Sequence, residues 1–539
     1  MYEHYSGLYI TDTFQVLSKL TITAGVRWDL PGSWAERHGV GAVFDPSAPN
    51  PLAQTTGLPL MGVAALFGSQ LDSSNHLYNA DYKLFAPRLG VAYLLTPGTV
   101  IRAGYAISYT PLDTTLTSAA PSNGPAATGT TTFVDSLNGG ITPSVGNLAN
   151  PYPNGLIQPA GANGAALFAN TIGQTMTIPL RHIAYPYVQQ WNFNIGHQFG
   201  ARTMIQVGYE GLKGTHLPMA GSNGIDINQL PDQYTSLGQA LLKQVANPFA
   251  GQVLPGGTLA SSTINAGQLL RPYPEYQNIG IPSYFVGFSN YESLQAVFQG
   301  RLGAGGTIDA AYTWSKLLSN TDSIPADQVQ DYNNLAAGKS LSADNVPQRL
   351  TIAYTADLPF GRGKALFKGA NRATNAIISG WGINGITTFQ SGLPLSLSYG
   401  GTNDLGLFGA GTIRPNVIAG CNETEPGSPE QRATAGDWYN VKCFTAPSSV
   451  FSFGDEPRVD PVLRQQGIIN FDVALRRIIP IRERYRLEMR AESFNIANHP
   501  RFGAPGTVIG ASAAGQIQSM ITSQANTPRI FQFVARLSF

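Results

Sequence analysis

Seven histidines could in principle hold a metal: His4, His38, His76, His182, His197, His216 and His499. They are scattered, and none shows metal-ligand spacing. His216 stands in "GTHL" beside an expected strand end and reads as a structural hydrogen-bonding group. "GAGG" at 303–306 could open a phosphate loop, but neither a lysine nor a helical pattern follows it, so it reads as a hairpin turn. "NET" at 422–424 matches a glycosylation acceptor and is given no weight. Cys421 and Cys443 flank one loop and could form a disulfide, or stand as two free thiols. A bridge there would restrain the loop by roughly 3 kcal/mol. Trp438 and Tyr439 in that loop could touch a ligand, though nothing selects them. No enzyme chemistry, cofactor site or metal site is legible. What remains is a set of charges at Arg476, Arg486, Glu488, Arg490 and Glu492.

Those charges share one parity. In "RYRLEMRAES", Arg484, Arg486, Glu488, Arg490 and Glu492 lie on one face of a period-two strand. Tyr485, Leu487, Met489 and Ala491 lie on the other. Such a polar face must meet water, either outside a soluble sheet or inside a membrane barrel whose apolar face meets lipid. Turning Arg or Lys to lipid costs roughly 2–4 kcal/mol at mid-bilayer, which fixes the orientation in the barrel case. The pattern recurs. Ile469, Phe471, Val473 and Leu475 oppose Asn470, Asp472, Ala474 and Arg476. Leu20, Ile22, Ala24, Val26 and Trp28 oppose Thr21, Thr23, Gly25, Arg27 and Asp29. At the end of the chain Phe531, Phe533, Ala535, Leu537 and Phe539 form one wholly apolar face. Segment 7–16 alternates poorly, because Asp12 falls on the apolar parity.

Thirteen strands are predicted, near 7–16, 20–29, 86–95, 99–109, 187–198, 202–211, 290–301, 306–315, 348–357, 380–391, 467–477, 484–494 and 529–539. Tight links alternate with long ones. The tight links are "LSK", "TPG", "FGA", "LGAG" and "IPIRER", and a longer one, "LPFGRGKALFKGANRATNAIISG". The long links lie near 30–85, 110–186, 212–289, 316–347, 392–466 and 495–528. Soluble domains seldom carry so many long loops, whereas transmembrane barrels join short periplasmic turns to long extracellular loops.

Composition agrees. Charged residues are 12%, against roughly 25% in ordinary globular domains. A net charge of +1 gives no electrostatic case for nucleic acid. No apolar run reaches the length of a membrane helix. The start, "MYEHYSGLYITD", has neither the basic nor the apolar part of a signal peptide. The expected fold is all-β: a partial transmembrane antiparallel β-barrel over residues 1–539.

Several stretches carry a resemblance: "FAPRLGVAY", "TVIRAGYAISYTP", "PYVQQWNFNIGHQFG", "VGYEGLKGTHLP", "SNYESLQAVFQGRLGAGGTIDAAYTWSKLLSN", "GWGINGITTFQSGLPLSLS" and "RLEMRAESFNIANHPRFGAPGT". Together they resemble the barrel of TonB-dependent transporters of the Oar-like group. The resemblance implies a 22-stranded outer-membrane barrel. It also implies a plug domain, an N-terminal carboxypeptidase-regulatory-like domain and a TonB energy-coupling partner. No plug, coupling motif or leader is legible here, so the chain is expected to be the C-terminal barrel part, about 13 strands, numbers 10 to 22. An odd strand count makes the first and last strands parallel, so a closed barrel from this chain alone is not expected. The terminal aromatics Phe531, Phe533, Leu537 and Phe539 resemble the signal that the barrel-assembly machinery reads. The remaining partners implied are outer-membrane lipids and an unknown, large transported substrate. The alternative function is a plug-less passive pore or a surface adhesin.

Overall fold

In the computed structural model thirteen long strands follow one another in a single sheet. The structure describes residues 2–112, 124–129, 131, 136–137, 142–143, 146–153, 155–219, 224–254, 258–302, 305–322, 329–482, 485–521 and 527–539. The strands are β1 (Tyr5–Leu17), β2 (Leu20–Pro31), β3 (Leu84–Thr96), β4 (Thr99–Tyr109), β5 (Tyr187–Phe199), β6 (Thr203–Met219) and β7 (Tyr284–Leu302). They continue as β8 (Gly306–Ser319), β9 (Gln348–Asp357), β10 (Trp381–Gln390), β11 (Ile468–Arg482), β12 (Tyr485–Phe494) and β13 (Ile530–Ser538). Each pairs antiparallel with the next, so β1 and β13 run in the same direction. Among the described residues β1 and β13 each have a single neighbour in this sheet. A two-residue strand, Ser340–Leu341, adds to the end of β8.

The register sorts the side chains into two faces. Phe14, Ile22, Val91, Ala103, Phe193, Tyr209, Leu294 and Trp314 form one continuous row across β1 to β8. Tyr312, Leu350, Phe389 and Ile469 carry the same face across β8 to β11. Leu475, Ala491 and Phe533 complete it on β11 to β13. The opposite face reads Arg102, Asn194, Gly208, Gln295, Thr313, Arg349 and Gln390. Because the side-chain period is two, a one-residue slip anywhere would exchange the faces. Asp12 pairs with Ala24 on the apolar face, where its carboxylate accepts from its neighbour's Thr13 N–H at 2.7 Å.

The hydrophobic core does not lie between these strands. Leu8 is 61% exposed, Phe193 48% and Phe533 80%, whereas the fully buried Phe44, Phe249, Tyr276, Phe408 and Tyr439 all lie in the long links. An apolar wall this extensive and uncovered marks an interaction surface rather than a soluble exterior. No helix among the described residues is long and apolar enough to cross a membrane.

The long links pack into a cap at one end of the sheet. Phe44 and Leu60 from the first, Leu167 and Ile178 from the second, and Phe249, Tyr276 and Ile279 from the third share one core. Leu230 and Leu241 of the third link meet Leu405, Phe408 and Phe451 of the fifth. Leu395, Trp438, Tyr439 and Leu463 of the fifth meet Ile509 of the sixth. At the other end the links are tight. The "GAGG" turn lies partly outside the described residues; Gly305 has φ +94°, and β8 opens at Gly306. The linking "IPIRER" likewise ends outside them.

Candidate functional site

The polar face of β9 to β13 carries the predicted charges in register. Asp357 pairs with Gly382, Gly382 with Arg476 and Arg476 with Arg490. Glu488 pairs with Arg536, Glu492 with Gln532, and Arg486 with Pro480 and Ser538. Arg476 bonds Asp357 at 2.6 Å, while Arg490 stands between Glu488 at 3.6 Å and Glu492 at 3.4 Å on its own strand. The local cause is the pleat, which sets residues two apart on one face, roughly 6.6 Å along the strand, within reach of an arginine. Asp357, Glu488 and Glu492 face Arg476, Arg486, Arg490 and Arg536, so most of the charge is matched. These side chains stay partly exposed. A hydrated ladder of this kind can exchange hydrogen bonds with a passing or docked polar surface.

Above this wall, buried polar groups fix the cap. Asn228 is fully buried; its Nδ2 donates to the carbonyls of Tyr273 (2.9 Å), Tyr276 (3.1 Å) and Gln277 (2.8 Å), and its Oδ1 accepts from the Tyr273 N–H at 2.8 Å. Arg271 donates to the Asn228 carbonyl at 2.6 Å and pairs with Asp226 at 3.3 Å. Burial lowers the Arg271 pKa to about 10 and raises that of Asp226, so desolvation outweighs their mutual attraction in both. Glu275 accepts from Asn50 Nδ2 at 2.9 Å, and burial pushes it up to about 8. In the fifth link Arg458 pairs with Asp322 and donates to the carbonyls of Gly338 (2.9 Å) and Ser319 (3.0 Å), tying the fifth link to the fourth. These groups escaped the sequence reading. The only signal was a charged residue inside a Gly- and Pro-rich link, as in "RPYPEY" at 271–276.

The loop candidates fall differently. Cys421 and Cys443 are joined, with Cα atoms 5.6 Å apart, in the link between β10 and β11. Trp438 and Tyr439 are cap core, 2% and 0% exposed, not ligand contacts. Trp438 Nε1 donates to the Arg464 carbonyl and the Tyr439 hydroxyl to the Gly506 carbonyl, both at 2.8 Å. Buried aromatics with a polar handle need such partners, which explains their place. His216 lies within β6, not beside it, at a register shift with φ +55°, and its ring meets Tyr187 edge-on at 5.9 Å. Among the described residues no three His, Cys, Asp or Glu gather as metal ligands. Phe531, Phe533 and Leu537 share the apolar face of β13, opposite Ser493, Ala491 and Leu487, and Phe539 follows, 93% exposed. A groove of about 630 Å³ beneath the cap is lined by Tyr312, Leu350, Phe389, Ile469, His499 and Arg501, partly from the apolar face.

The family model described as an outer membrane beta barrel domain matches residues 1–532. Solved structures are similar at low identity. The outer membrane transporter YddB from Escherichia coli is 10% identical over 99% of this chain and 45% of its own, with a TM-score of 0.44. The pyoverdine outer membrane receptor FpvA from Pseudomonas aeruginosa PAO1 is 11% identical over 100% of this chain and 42% of its own, with a TM-score of 0.39. The ferric citrate transporter FecA is 10% identical over 99% of this chain and 44% of its own, with a TM-score of 0.38. The chain thus spans less than half the length of each of these structures. No curated protein matches it.

Proposed function

This chain belongs to the outer membrane beta barrel domain family and resides in the bacterial outer membrane; on that premise we propose that it forms the wall of a TonB-dependent transporter for energy-coupled uptake of a large substrate. Residues 1–539 are the barrel part, its tight links facing the periplasm and its cap facing outward. The apolar rows meet lipid, and the polar face lines a wet lumen. The charge ladder from Asp357 to Glu492 offers hydrogen bonds and ion pairs to a plug, and the cap shapes entry. In this reading the chain has no catalytic role, and the terminal strand is what the assembly machinery reads.

One observation supports this most. The register keeps one face mainly apolar from β1 to β13, with charges at Asp12, Glu292, Lys316 and Arg477, while the longest links gather at one end. A transporter of this kind stays sealed by its plug at rest, and a plug-less pore conducts. The test is conductance of the complete protein purified from its native membrane into planar bilayers. Little steady conductance, together with uptake abolished by a protonophore, is the expected result. A large, constant conductance indifferent to a coupling partner would transfer the protein to the passive-pore reading.

A further inference from the structure

The link between β9 and β10, residues 358–380, is far longer than the other tight links. It carries Arg362, Lys364, Lys368 and Arg372, and no acidic residue follows Asp357 until Asp404. All four cations are exposed. So are three apolar side chains: Leu366 is 49% exposed, Phe367 63% and Ile377 67%. Phe367 holds φ +60°, an uncommon conformation for a bulky residue, and its ring contacts Phe360 edge-on at 6.1 Å. The helix Arg372–Ile378 starts at Asn371, whose side chain accepts from the Thr374 N–H at 2.8 Å.

The position of this helix says what it faces. Trp381 Nε1 donates to the Ile377 carbonyl at 2.9 Å, and the Arg477 guanidinium donates to the Ala376 carbonyl. Arg477 also covers the Trp381 ring at 5.3 Å. Trp381, Arg477 and Met489 pair in one row on the apolar face. The helix is therefore tied to the lipid side of the wall, not to the mouth of the lumen. A tryptophan and an arginine at that level suit the boundary between hydrocarbon and headgroups.

We propose that residues 358–380 form an interfacial anchor: Leu366, Phe367 and Ile377 seat among acyl chains while Arg362, Lys364, Lys368 and Arg372 meet anionic phospholipid headgroups. Apolar groups and cations alternate here as in other surface-seated segments. The occupant is lipid rather than an acidic protein, because the link hangs from the apolar face. The anchor goes beyond the transport reading and shares with it only the placement of the strands in the membrane.

The test is spin labelling of the full chain in phosphatidylcholine vesicles containing phosphatidylglycerol. Cysteines at Ile377 and, separately, Phe193, midway along the apolar face of β5, are labelled; Cys421 and Cys443 are bonded to each other. Both labels should be reached by oxygen more than by an aqueous nickel chelate. Replacing the four cations by glutamine should shift the Ile377 label towards water by roughly fivefold in equilibrium per charge removed and leave Phe193 unchanged. An aqueous Ile377 beside a lipid-exposed Phe193 overturns the anchor alone. An aqueous Phe193 overturns the membrane placement itself. An Ile377 label that is aqueous and becomes ordered only on adding periplasmic extract assigns the link to a protein partner and overturns the lipid proposal.

Discussion

Arg476 on β11 reaches Asp357 on β9 across the whole of β10, its Nη2 2.6 Å from Oδ1. Gly382 stands between them in register, and a Cβ there would lie 2.8 Å from Arg476 Nε and 3.1 Å from the Ala356 carbonyl oxygen. The guanidinium can give way, but the carbonyl cannot. Gly382→Val should therefore cost more than Asp357→Asn, which removes a part-exposed pair worth roughly 0.2–1 kcal/mol. Urea unfolding in detergent reports both, and equal losses would contradict the bridging role of the glycine.

The wall obeys its parity. Phe193→Arg places a charge midway along the apolar face and should cost roughly 2–4 kcal/mol of folded population in lipid. Asn194→Arg, one residue on, should cost well under that. Gel mobility of unheated against heated protein measures the folded fraction of each. Similar losses for the two would mean that the faces are not distinguished by their surroundings.

The cap is acid-favoured. Burial, reinforced by Asp460, pushes Glu456 up to about 9 and Glu423 up to about 7. A carboxyl raised in the folded state prefers its proton there, so its contribution is greatest below the ordinary value of 4.5 and is lost as pH rises towards 9. Thermal unfolding followed from pH 5 to pH 10 should show the cap weakening with pH, and Glu456→Gln should flatten that slope. A wild-type slope of the opposite sign rejects this account.

Arg458 and Asp322 are buried together, 2% and 3% exposed. Removing one partner strands the other, so Arg458→Met should destabilise the cap by roughly 3–5 kcal/mol. Arg458→Met combined with Asp322→Asn should recover part of that loss. A double-mutant cycle gives the coupling, and strict additivity would show that the pair does not tie the links.

Reduction of the Cys421–Cys443 bridge should release its loop by roughly 3 kcal/mol. New protease cuts between the two cysteines, with the strands intact, are the expected pattern. Identical digestion with and without reductant would show that Trp438 and Tyr439 hold the loop unaided.

Much of this was legible from order along the chain. Period-two alternation marked most of the strands, though not the first, where Asp12 interrupts the apolar parity. The same alternation put Arg476, Arg486, Glu488, Arg490 and Glu492 on one face before any partner was known. Departures occurred where tertiary contacts decide. β6 runs on past 211 to Met219 because β7 is there to pair with it. The 358–380 link gains a helix because Trp381 and Arg477 hold its carbonyl end.

The sequence by itself determined which residues share a face, since parity along a strand is a local property wherever no bulge interrupts it, as one does at His216. Only the tertiary structure decided which loop groups meet: that Asn228 gathers three carbonyls from 273–277, that Arg458 finds Asp322, and that Trp438 and Tyr439 are core. Links this long and this rich in Gly and Pro carry no period, so their partners are fixed by packing among distant segments rather than by any repeat along the chain.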